Sequence, residues 1–256
     1  MRIEVVTTMN AKGWHELGGR MVRAFKRCWP ADVKLIVYAE GFTVSEPGVE
    51  SRNLPKWLDE FKGRHKNNRR ANGHTPSRYD FLYDAVKFSH KVAAITDAGL
   101  AQTDGVMIWL DADTYTHASV THVWLEGLFP EPSYIAWLDR RNSLPETGFI
   151  MFRCGHPAHQ AAMTAFRRLY LTDDIFGIGQ TSDNSALRHV IDRMVKGGEI
   201  EPPVSLSGDD KNWSHPFVNG PLGACMDHMK GNRKRRKRSD KWDVRTPRKE
   251  AYWELG

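Results

Sequence analysis

The chain has 256 residues, of which 40% are hydrophobic, and a formal net charge of +6 at pH 7. This length suits one α/β domain with or without an appendage, and nine Trp, eleven Phe and seven Tyr can fill a core, which excludes a low-complexity disordered chain. Three scattered cysteines, an N-terminus without the apolar stretch of a signal peptide, and no apolar run near the roughly 20 residues of a membrane span predict a soluble, cytoplasmic protein.

The beginning of the chain predicts a β-α-β unit. A strand is predicted over residues 3–8 and a helix over 14–29, where Pro30 ends the helical spacing. A second strand follows over residues 33–40. Because a crossover helix joins parallel strands, this opening predicts a parallel sheet.

The next part of the chain is first polar and then strongly helical. Residues 47–77 are polar and basic, and we predict a surface excursion with one short helix near 55–65. The clearest helix is predicted over residues 79–99, where apolar residues recur every three or four positions along one face. This apolar stripe consists of Phe81, Ala85, Phe88, Val92 and Ile95.

The rest of the chain continues the alternation of strands and helices. Residues 106–110 form an uninterrupted apolar run, which is typical of a strand buried on both faces. The elements predicted after it are a helix over 118–128, strands over 134–139 and 147–153, and helices over 157–171 and 183–196. The whole pattern predicts an α/β fold with a mixed, mostly parallel sheet flanked by helices and a Rossmann-like nucleotide half.

Two carboxylates, Asp111 and Asp113, follow the buried strand at its carboxyl end, where open α/β sheets bind ligands. Side chains two residues apart in an extended chain share a face, so both can be directed at one divalent ion. Mg²⁺ and Mn²⁺ prefer carboxylate oxygens and complete their coordination with phosphate oxygens and water. The pair therefore indicates a metal–diphosphate site, and the alternative is a helix N-cap or a turn, where Asp is also favoured.

A second set of candidate residues lies far downstream, in the spacing His228-x-x-Gly231-x-x-Lys234. The imidazole can add a nitrogen ligand to the same ion, the glycine allows backbone to approach phosphate, and the lysine can neutralise diphosphate charge. A basic loop with an incidental histidine is the alternative. Together with the two aspartates, the spacing favours a metal–diphosphate site built from distant parts of the chain.

The two motifs together resemble those of the retaining glycosyltransferases of the GT-A fold, the group of glycogenin and the bacterial galactosyltransferases. The resemblance implies an enzyme that uses Mn²⁺, or Mg²⁺, and a nucleotide-diphosphate sugar as donor. The metal ligands that it implies are Asp111, Asp113 and His228. The residues implied to contact the phosphates or the nucleotide are Gly231, Lys234, Thr7, Thr8, Asn10 and Lys91. For Lys91, the alternative is an exposed lysine paired with an aspartate earlier in the same predicted helix.

Three further carboxylates are candidate catalytic residues: Glu146, Asp139 and Asp183. They are candidates for holding the hydroxyls of the transferred sugar or for supporting the reacting face. The resemblance implies retention by a front-face route, in which the departing phosphate accepts the acceptor's proton and no protein nucleophile is required. As alternatives, Asp139 can pair with a neighbouring arginine, and Asp183 can cap the helix that follows it.

Positive charge is concentrated between Lys230 and Lys249, where eleven Lys or Arg and two Asp give a net +9 and leave −3 for the rest. We therefore predict a single catalytic domain over residues 1–228 and a basic C-terminal segment over 229–256 that completes the diphosphate site. Such a segment indicates an anionic partner, and the alternative is a solvated tail that aids solubility. The cations predicted to contact the partner are Arg235, Arg236, Lys237 and Arg238.

The predicted anionic acceptor is DNA with a hydroxymethylated base, because certain bacteriophages glycosylate their own DNA, and Trp242 or Trp253 could stack on bases. A cell-envelope saccharide or a lipid-linked acceptor is the rival, since basic segments also bind anionic membrane surfaces. Two other classes stay open: a non-catalytic nucleic-acid-binding protein and a metal-dependent nucleotide-sugar hydrolase. A non-catalytic nucleic-acid-binding protein would leave the aspartate pair unexplained, and a hydrolase would need no acceptor surface.

Overall fold

A mixed seven-stranded sheet is the centre of the computed structural model, which describes residues 2–140, 143–208, 215–231, 233–236 and 239. The strands are β1 (Ile3–Asn10), β2 (Lys34–Glu40), β3 (Val49–Asn53), β4 (Val106–Leu110), β5 (Thr114–Thr116), β6 (Ile135–Leu138), β7 (Glu146–Arg153), β8 (Val204–Ser205) and β9 (Met226–His228). The order in the sheet is β3-β2-β1-β4-β7-β6-β8, and β5 and β9 form a separate ladder. Only β7, among the described strands of the sheet, is antiparallel to its neighbours.

Helices cover both faces of this sheet. They are α1 (Ala11–Gly13), α2 (Gly19–Cys28), α3 (Lys56–His65), α4 (Ala85–Ala101), α5 (His122–Leu128), α6 (His159–Leu171), α7 (Asp183–Lys196), α8 (Pro216–Asn219) and α9 (Arg233–Arg236). A π-helical segment (Trp14–Gly18) joins α1 to α2, and 3-10 turns lie at Phe81–Tyr83, Asp174–Gly177 and Pro221–Ala224. The predicted fold class, a mostly parallel α/β sheet flanked by helices, is confirmed.

The central strand β4 is buried on both faces, as its apolar run predicts. Met107 and Trp109 belong to the core under α4, α6 and α7, whereas Ile108 and Leu110 belong to the core under α2, α5 and α8. Alternating side chains of one strand therefore fill two separate cores. The consequence is a rigid strand whose carboxyl end is fixed in position.

Several predicted boundaries differ from those of the structure for local reasons. The helix predicted over 79–99 begins at Ala85, because the side chain of Asp84 caps it by accepting from the amide of Lys87. Phe81 is 52% exposed and so does not belong to the buried stripe. The helix predicted over 118–128 begins after Thr121, whose side chain accepts from the amide of Trp124.

The sequence also left four strands unpredicted, among them the two-residue strand β8. The edge strand β3 lies within the predicted surface excursion, because four of its five residues are polar and so show no apolar alternation. The short strands β5 and β9 pair only with each other. None of the described helices has both the length and the apolarity to span a bilayer. The predicted division between 1–228 and 229–256 stays a prediction.

Candidate functional site

The chain turns sharply where β4 ends, and this turn presents the two aspartates. The amide of Thr114 donates to the carbonyl of Asp111 at 3.0 Å, and its hydroxyl donates to the same carbonyl at 2.8 Å. The amide of Asp111 is itself held by the carbonyl of Gly148 on β7 at 2.9 Å. The backbone of this turn is therefore fixed from both sides, with Asp111 and Asp113 at the carboxyl end of the parallel strands.

The ladder between β5 and β9 brings the third residue to this turn. Thr114 lies opposite His228 in the antiparallel register, so a residue 115 positions downstream of Asp113 becomes its neighbour. The Nε2 atom of His228 lies 3.1 Å from Oδ1 of Asp113 and 3.6 Å from Oδ2 of Asp111. One ligand atom from each of the three side chains lies within 4.8 Å of the others. Such a set of two carboxylates and one imidazole fits a divalent cation.

The imidazole of His228 is held in one orientation by its surroundings. Its Nδ1 atom lies 2.8 Å from Oε1 of Glu146, which directs Nε2 towards the aspartates. The ring of Phe217 lies 5.2 Å away, and Gly148 leaves the space in which a Cβ atom would come within 2.7 Å of Cε1. A carboxylate behind a histidine fixes the ring and increases its basicity as a ligand.

Charges around this histidine stabilise its protonated form. Burial lowers the pKa of His228, but the carboxylates of Asp113 and Glu146 outweigh burial and raise that pKa to about 10. Burial raises the pKa of Asp113, but His228 and Lys234 hold it well below its usual range. Glu146 shows the same balance between burial and His228, and its pKa is also lowered. The carboxylates therefore favour a positive charge at this position, and a divalent cation bound there would replace the proton of His228.

Lys91 lies inside the site rather than on the surface. Its ammonium group contacts Asp111 Oδ1 at 3.0 Å, Asp183 Oδ2 at 2.9 Å and the carbonyl of Thr147 at 2.6 Å. The alternative of an exposed lysine paired with an aspartate of its own helix is wrong. Since three contacts satisfy the three donors of an ammonium group, Lys91 holds the carboxylates in place. Its predicted contact with phosphate stays a prediction.

Two of the three candidate catalytic carboxylates are tied to other groups of the site. Glu146 has a side chain only 2% exposed and contacts His228 and Arg140, with Lys230 at 3.6 Å. Asp183 accepts from the hydroxyl of Thr147 at 2.6 Å and pairs with Lys91, one residue after the Ser182 that occupies the N-cap of α7.

The third candidate, Asp139, follows β6. It accepts from the indole of Trp137 at 2.8 Å, and the hydroxyl of Ser207 donates to its carbonyl at 2.7 Å. The structure does not bring Asp139 into the group of side chains around His228 that could hold a metal ion. Contact of any of the three carboxylates with a sugar stays a prediction.

The downstream motif lies beside the aspartates. The Nζ atom of Lys234 is 2.8 Å from Oδ2 of Asp113. Gly231 turns the chain with φ of +61°, and a Cβ at this position would meet no atom within 4 Å, so the backbone is open to a ligand. Arg235 and Arg236 are exposed on α9. The other two predicted contacts, Lys237 and Arg238, lie outside the described residues, as do Trp242 and Trp253.

The predicted nucleotide contacts at the end of β1 have local roles. Thr7 is entirely buried. The hydroxyl of Thr8 donates to the carbonyl of Tyr38 at 2.8 Å, and the side chain of Asn10 caps α1 by accepting from the amide of Gly13. Contact of Thr7, Thr8 and Asn10 with a nucleotide stays a prediction.

The sequence reasoning missed the residue that orients Asp111. The indole of Trp109 donates to Oδ1 of Asp111 at 2.7 Å, and the ring lies 5.1 Å from the ammonium of Lys91. Trp109 and Lys91 both donate to Oδ1 of Asp111, and Oδ2 is the oxygen of this carboxylate that lies nearest His228. A signal existed: Trp-Leu-Asp stands at the end of β4 and again at the end of β6. Gly148 was also missed as the residue that makes room for His228.

Comparisons with known proteins find similarity only at the level of structure. No family model matches the chain, and no curated protein sequence matches it. Mouse xyloside xylosyltransferase 1 is 8% identical, with 78% of this chain and 84% of that chain covered and a TM-score of 0.46. GlyE of Streptococcus pneumoniae is 11% identical, with 75% and 44% covered and a TM-score of 0.46.

A third structure carries the fold assignment. The bifunctional glycosyltransferase WbbM is 12% identical, with 90% of this chain and 46% of that chain covered and a TM-score of 0.52. The chain thus spans less than half the length of WbbM and of GlyE. At such identities the likeness shows the fold alone. The chain has a GT-A-like fold of the kind found in glycosyltransferases.

Proposed function

We propose that this protein is a metal-dependent glycosyltransferase that moves a sugar from a nucleotide-diphosphate sugar to a hydroxyl acceptor. The observation that carries the proposal is the convergence of Asp111, Asp113 and His228 at the carboxyl end of the parallel strands. In open α/β sheets this is the edge at which ligands bind. Lys234, in contact with Asp113, adds a positive charge to the same side of the cluster.

The donor set indicates which ion the site would take. Asp111, Asp113 and His228 would hold Mn²⁺ or Mg²⁺, both of which accept carboxylate oxygens and leave positions for phosphate oxygens and water. When bound, the ion would act as a Lewis acid on the departing diphosphate. Lys234 would share the negative charge of the same leaving group. Lys91 and Trp109 would keep Asp111 in the orientation that ligation requires.

Retention of configuration is part of the proposal. Glu146 is held by His228 and Arg140, and Asp183 by Lys91 and Thr147, so both of these carboxylates already have structural partners. A front-face route, in which a departing phosphate oxygen accepts the acceptor's proton, requires no protein nucleophile. This route is consistent with Glu146 and Asp183 holding other groups of the site in position rather than attacking the sugar.

DNA carrying a hydroxymethylated base is the acceptor that we propose. Arg235 and Arg236 are exposed on the same short helix as Lys234, whose ammonium contacts Asp113. A polyanion bound there would lie next to the candidate leaving-group site. Neutralising Arg235, Arg236, Lys237 and Arg238 should remove transfer to DNA while hydrolysis of the sugar nucleotide continues.

Release of nucleoside diphosphate from a panel of sugar nucleotides tests the proposed reaction. We expect release that requires Mn²⁺ or Mg²⁺, is lost in EDTA and is lost in His228→Ala and reduced in Lys234→Ala. Lys34→Ala is the matched control, because this exposed lysine lies at the opposite, amino-terminal end of β2. Full activity in EDTA would overturn the proposal. A rate of release that no added acceptor increases, neither DNA nor envelope saccharide, would instead identify a hydrolase.

A further inference from the structure

A second basic surface lies far from the C-terminal segment in sequence. Residues 66–81 contain four exposed cations and a single acidic residue, Asp80, which is half-buried and caps the following turn. None of the four cations forms an ion pair within the described residues, whereas the neighbouring Arg64 pairs with Asp173 at 2.9 Å. The four are Lys66, Arg69, Arg70 and Arg78. Their charge is therefore available to a partner in solution.

Exposed aromatic rings accompany these cations. Tyr79 is 49% exposed and Phe81 is 52% exposed, and only two other large hydrophobic side chains of the described residues are exposed. Exposed cations beside exposed rings are the combination that binds single-stranded nucleic acid, because the cations follow the phosphates and the rings stack on the bases.

The surface is rigid enough to act as a binding site. The amide of Asp80 donates to the carbonyl of Gly73 at 2.7 Å, and the hydroxyl of Thr75 donates to the carbonyl of Arg78 at 2.7 Å, which closes a hairpin-like turn. The hydroxyl of Tyr79 donates to Asp84 at 2.8 Å. The exposed ring of Tyr79 is therefore held in place before any ligand binds, which lowers the entropy cost of binding.

The residue after this segment, Leu82, lines a cavity near the candidate site. The carbonyl of Leu82 accepts from the amide of Thr181, and Leu82 lines an open cavity of about 860 Å³ together with Arg140 and Asn184. Arg140 contacts Glu146, which holds His228. The cavity is thus lined by Leu82, which follows the basic and aromatic surface in the chain, and by Arg140, which contacts Glu146 of the candidate site.

We propose that residues 66–81 form a docking surface for single-stranded nucleic acid, and that the cavity beside Leu82 receives the acceptor hydroxyl of the docked strand. This inference rests on the proposed glycosyl transfer for the role of the hydroxyl, but the docking itself requires neither metal nor donor. Lys66, Arg69, Arg70 and Arg78 contact phosphates, and Tyr79 and Phe81 stack on unpaired bases.

Fluorescence anisotropy with a labelled oligonucleotide, at several salt concentrations and without metal or sugar nucleotide, tests the docking. For the wild-type chain we expect binding to the single strand that weakens as salt increases. The triple change Arg69→Gln, Arg70→Gln and Arg78→Gln should reduce the slope of log K against log[salt] by about 2, since each phosphate contact on a single strand contributes roughly 0.7. The matched control is Arg168→Gln, Arg193→Gln and Lys196→Gln, which removes equal charge from the exposed surfaces of α6 and α7.

The rings are tested by Phe81→Leu, which keeps an apolar side chain at a half-exposed position and removes only the aromatic face. We expect a loss of about tenfold in affinity for the single strand and no loss for a duplex of the same sequence. Tyr79→Leu, checked by thermal melting because Tyr79 contacts the cap of α4, should add to this loss. Equal binding of the duplex and the single strand, with no effect of either ring, would overturn the single-stranded assignment.

Three results would contradict the docking proposal as a whole. They are no binding of the oligonucleotide at low salt, an equal loss in the control triple variant, and binding of vesicles with anionic lipid that depends on the same arginines. Asp113→Asn separates the two proposals, because it should abolish release of nucleoside diphosphate and leave docking of the single strand unchanged. Docking without turnover in the wild-type chain would overturn the proposed enzyme and not the docking surface.

Discussion

The tripeptide Trp-Leu-Asp ends two strands of the same sheet, and the two copies have different surroundings. At the end of β4, Trp109 donates to Asp111 at 2.7 Å, and at the end of β6, Trp137 donates to Asp139 at 2.8 Å. Both indoles are 2% exposed, and both hydrogen bonds join residues on one face of a strand. Of these two aspartates, only Asp111 belongs to the candidate metal ligands among the described residues.

The difference arises from what the rest of the chain brings to each strand end. After Asp111 the chain turns into β5, which pairs with β9 and so places His228 beside the aspartates. Gly148 on the neighbouring strand leaves space for the imidazole. A strand end with a fixed carboxylate therefore occurs twice in this sheet, and the ligand set is completed only where a distant segment crosses the strand end.

The largest effect that we predict distinguishes the two aspartates. Asp111→Asn should lower the affinity for Mn²⁺ by at least about 100-fold, above the range typical of changes behind the ligands. Asp139→Asn should leave the affinity for Mn²⁺ unchanged, because the amide oxygen still accepts from Trp137 and no candidate ligand is lost. Isothermal titration with Mn²⁺ measures both. Equal losses in the two variants would show that the aspartates share a role, contrary to the comparison.

A second prediction concerns the space beside Gly148, which allows His228 to reach the end of β4. Gly148→Ala places a Cβ atom 2.7 Å from Cε1 of His228, so the imidazole must move. We expect a loss of about 1–3 kcal/mol in the free energy of unfolding from overpacking, and a loss of roughly 10–100-fold in affinity for Mn²⁺. Urea unfolding and metal titration measure the two effects.

Gly127→Ala is the control for this change. A Cβ at Gly127 would meet no atom within 4 Å, and the residue lies within α5 on the surface. Replacing an exposed helical glycine by alanine should stabilise the protein by about 0.5–1 kcal/mol and leave metal affinity unchanged. A wild-type affinity for Mn²⁺ in Gly148→Ala would contradict the account of how His228 is positioned.

Patterns within single elements could be predicted from the sequence. The apolar run of β4, the helix α7 with Asp183 at its start, and the aspartate pair at a strand end all follow from local residue types. The sheet's mixed, mostly parallel character followed from alternating strands and helices. These features depend on residues close together in the chain, so periodicity and turn chemistry are sufficient.

Contacts between distant residues could not be predicted in the same way. Polar residues that satisfy one another, such as Lys91 with Asp183 and Glu146 with His228, leave no periodic signal in the chain. The sequence around Lys91 is typical of an exposed lysine, yet its side chain is only 12% exposed. Two carboxylates and a backbone carbonyl contact its ammonium group. The ladder of β5 and β9 has only three residues a strand, too few for a pattern.

The smallest effect that we predict concerns the tryptophans themselves. Trp109→Phe keeps a buried ring but removes the donor to Oδ1 of Asp111, so the carboxylate is held only by Lys91 and turns more freely. We expect a loss of about tenfold in affinity for Mn²⁺, the lower end of what outer partners of metal ligands contribute. Trp137→Phe removes the equivalent donor from Asp139 and should leave that affinity unchanged. Because both variants truncate an indole of equal burial, thermal melting should show similar destabilisation, and only the metal titration should separate them. Equal metal affinities in the two variants would mean that the indole of Trp109 serves packing alone, and that Lys91 is sufficient to orient Asp111.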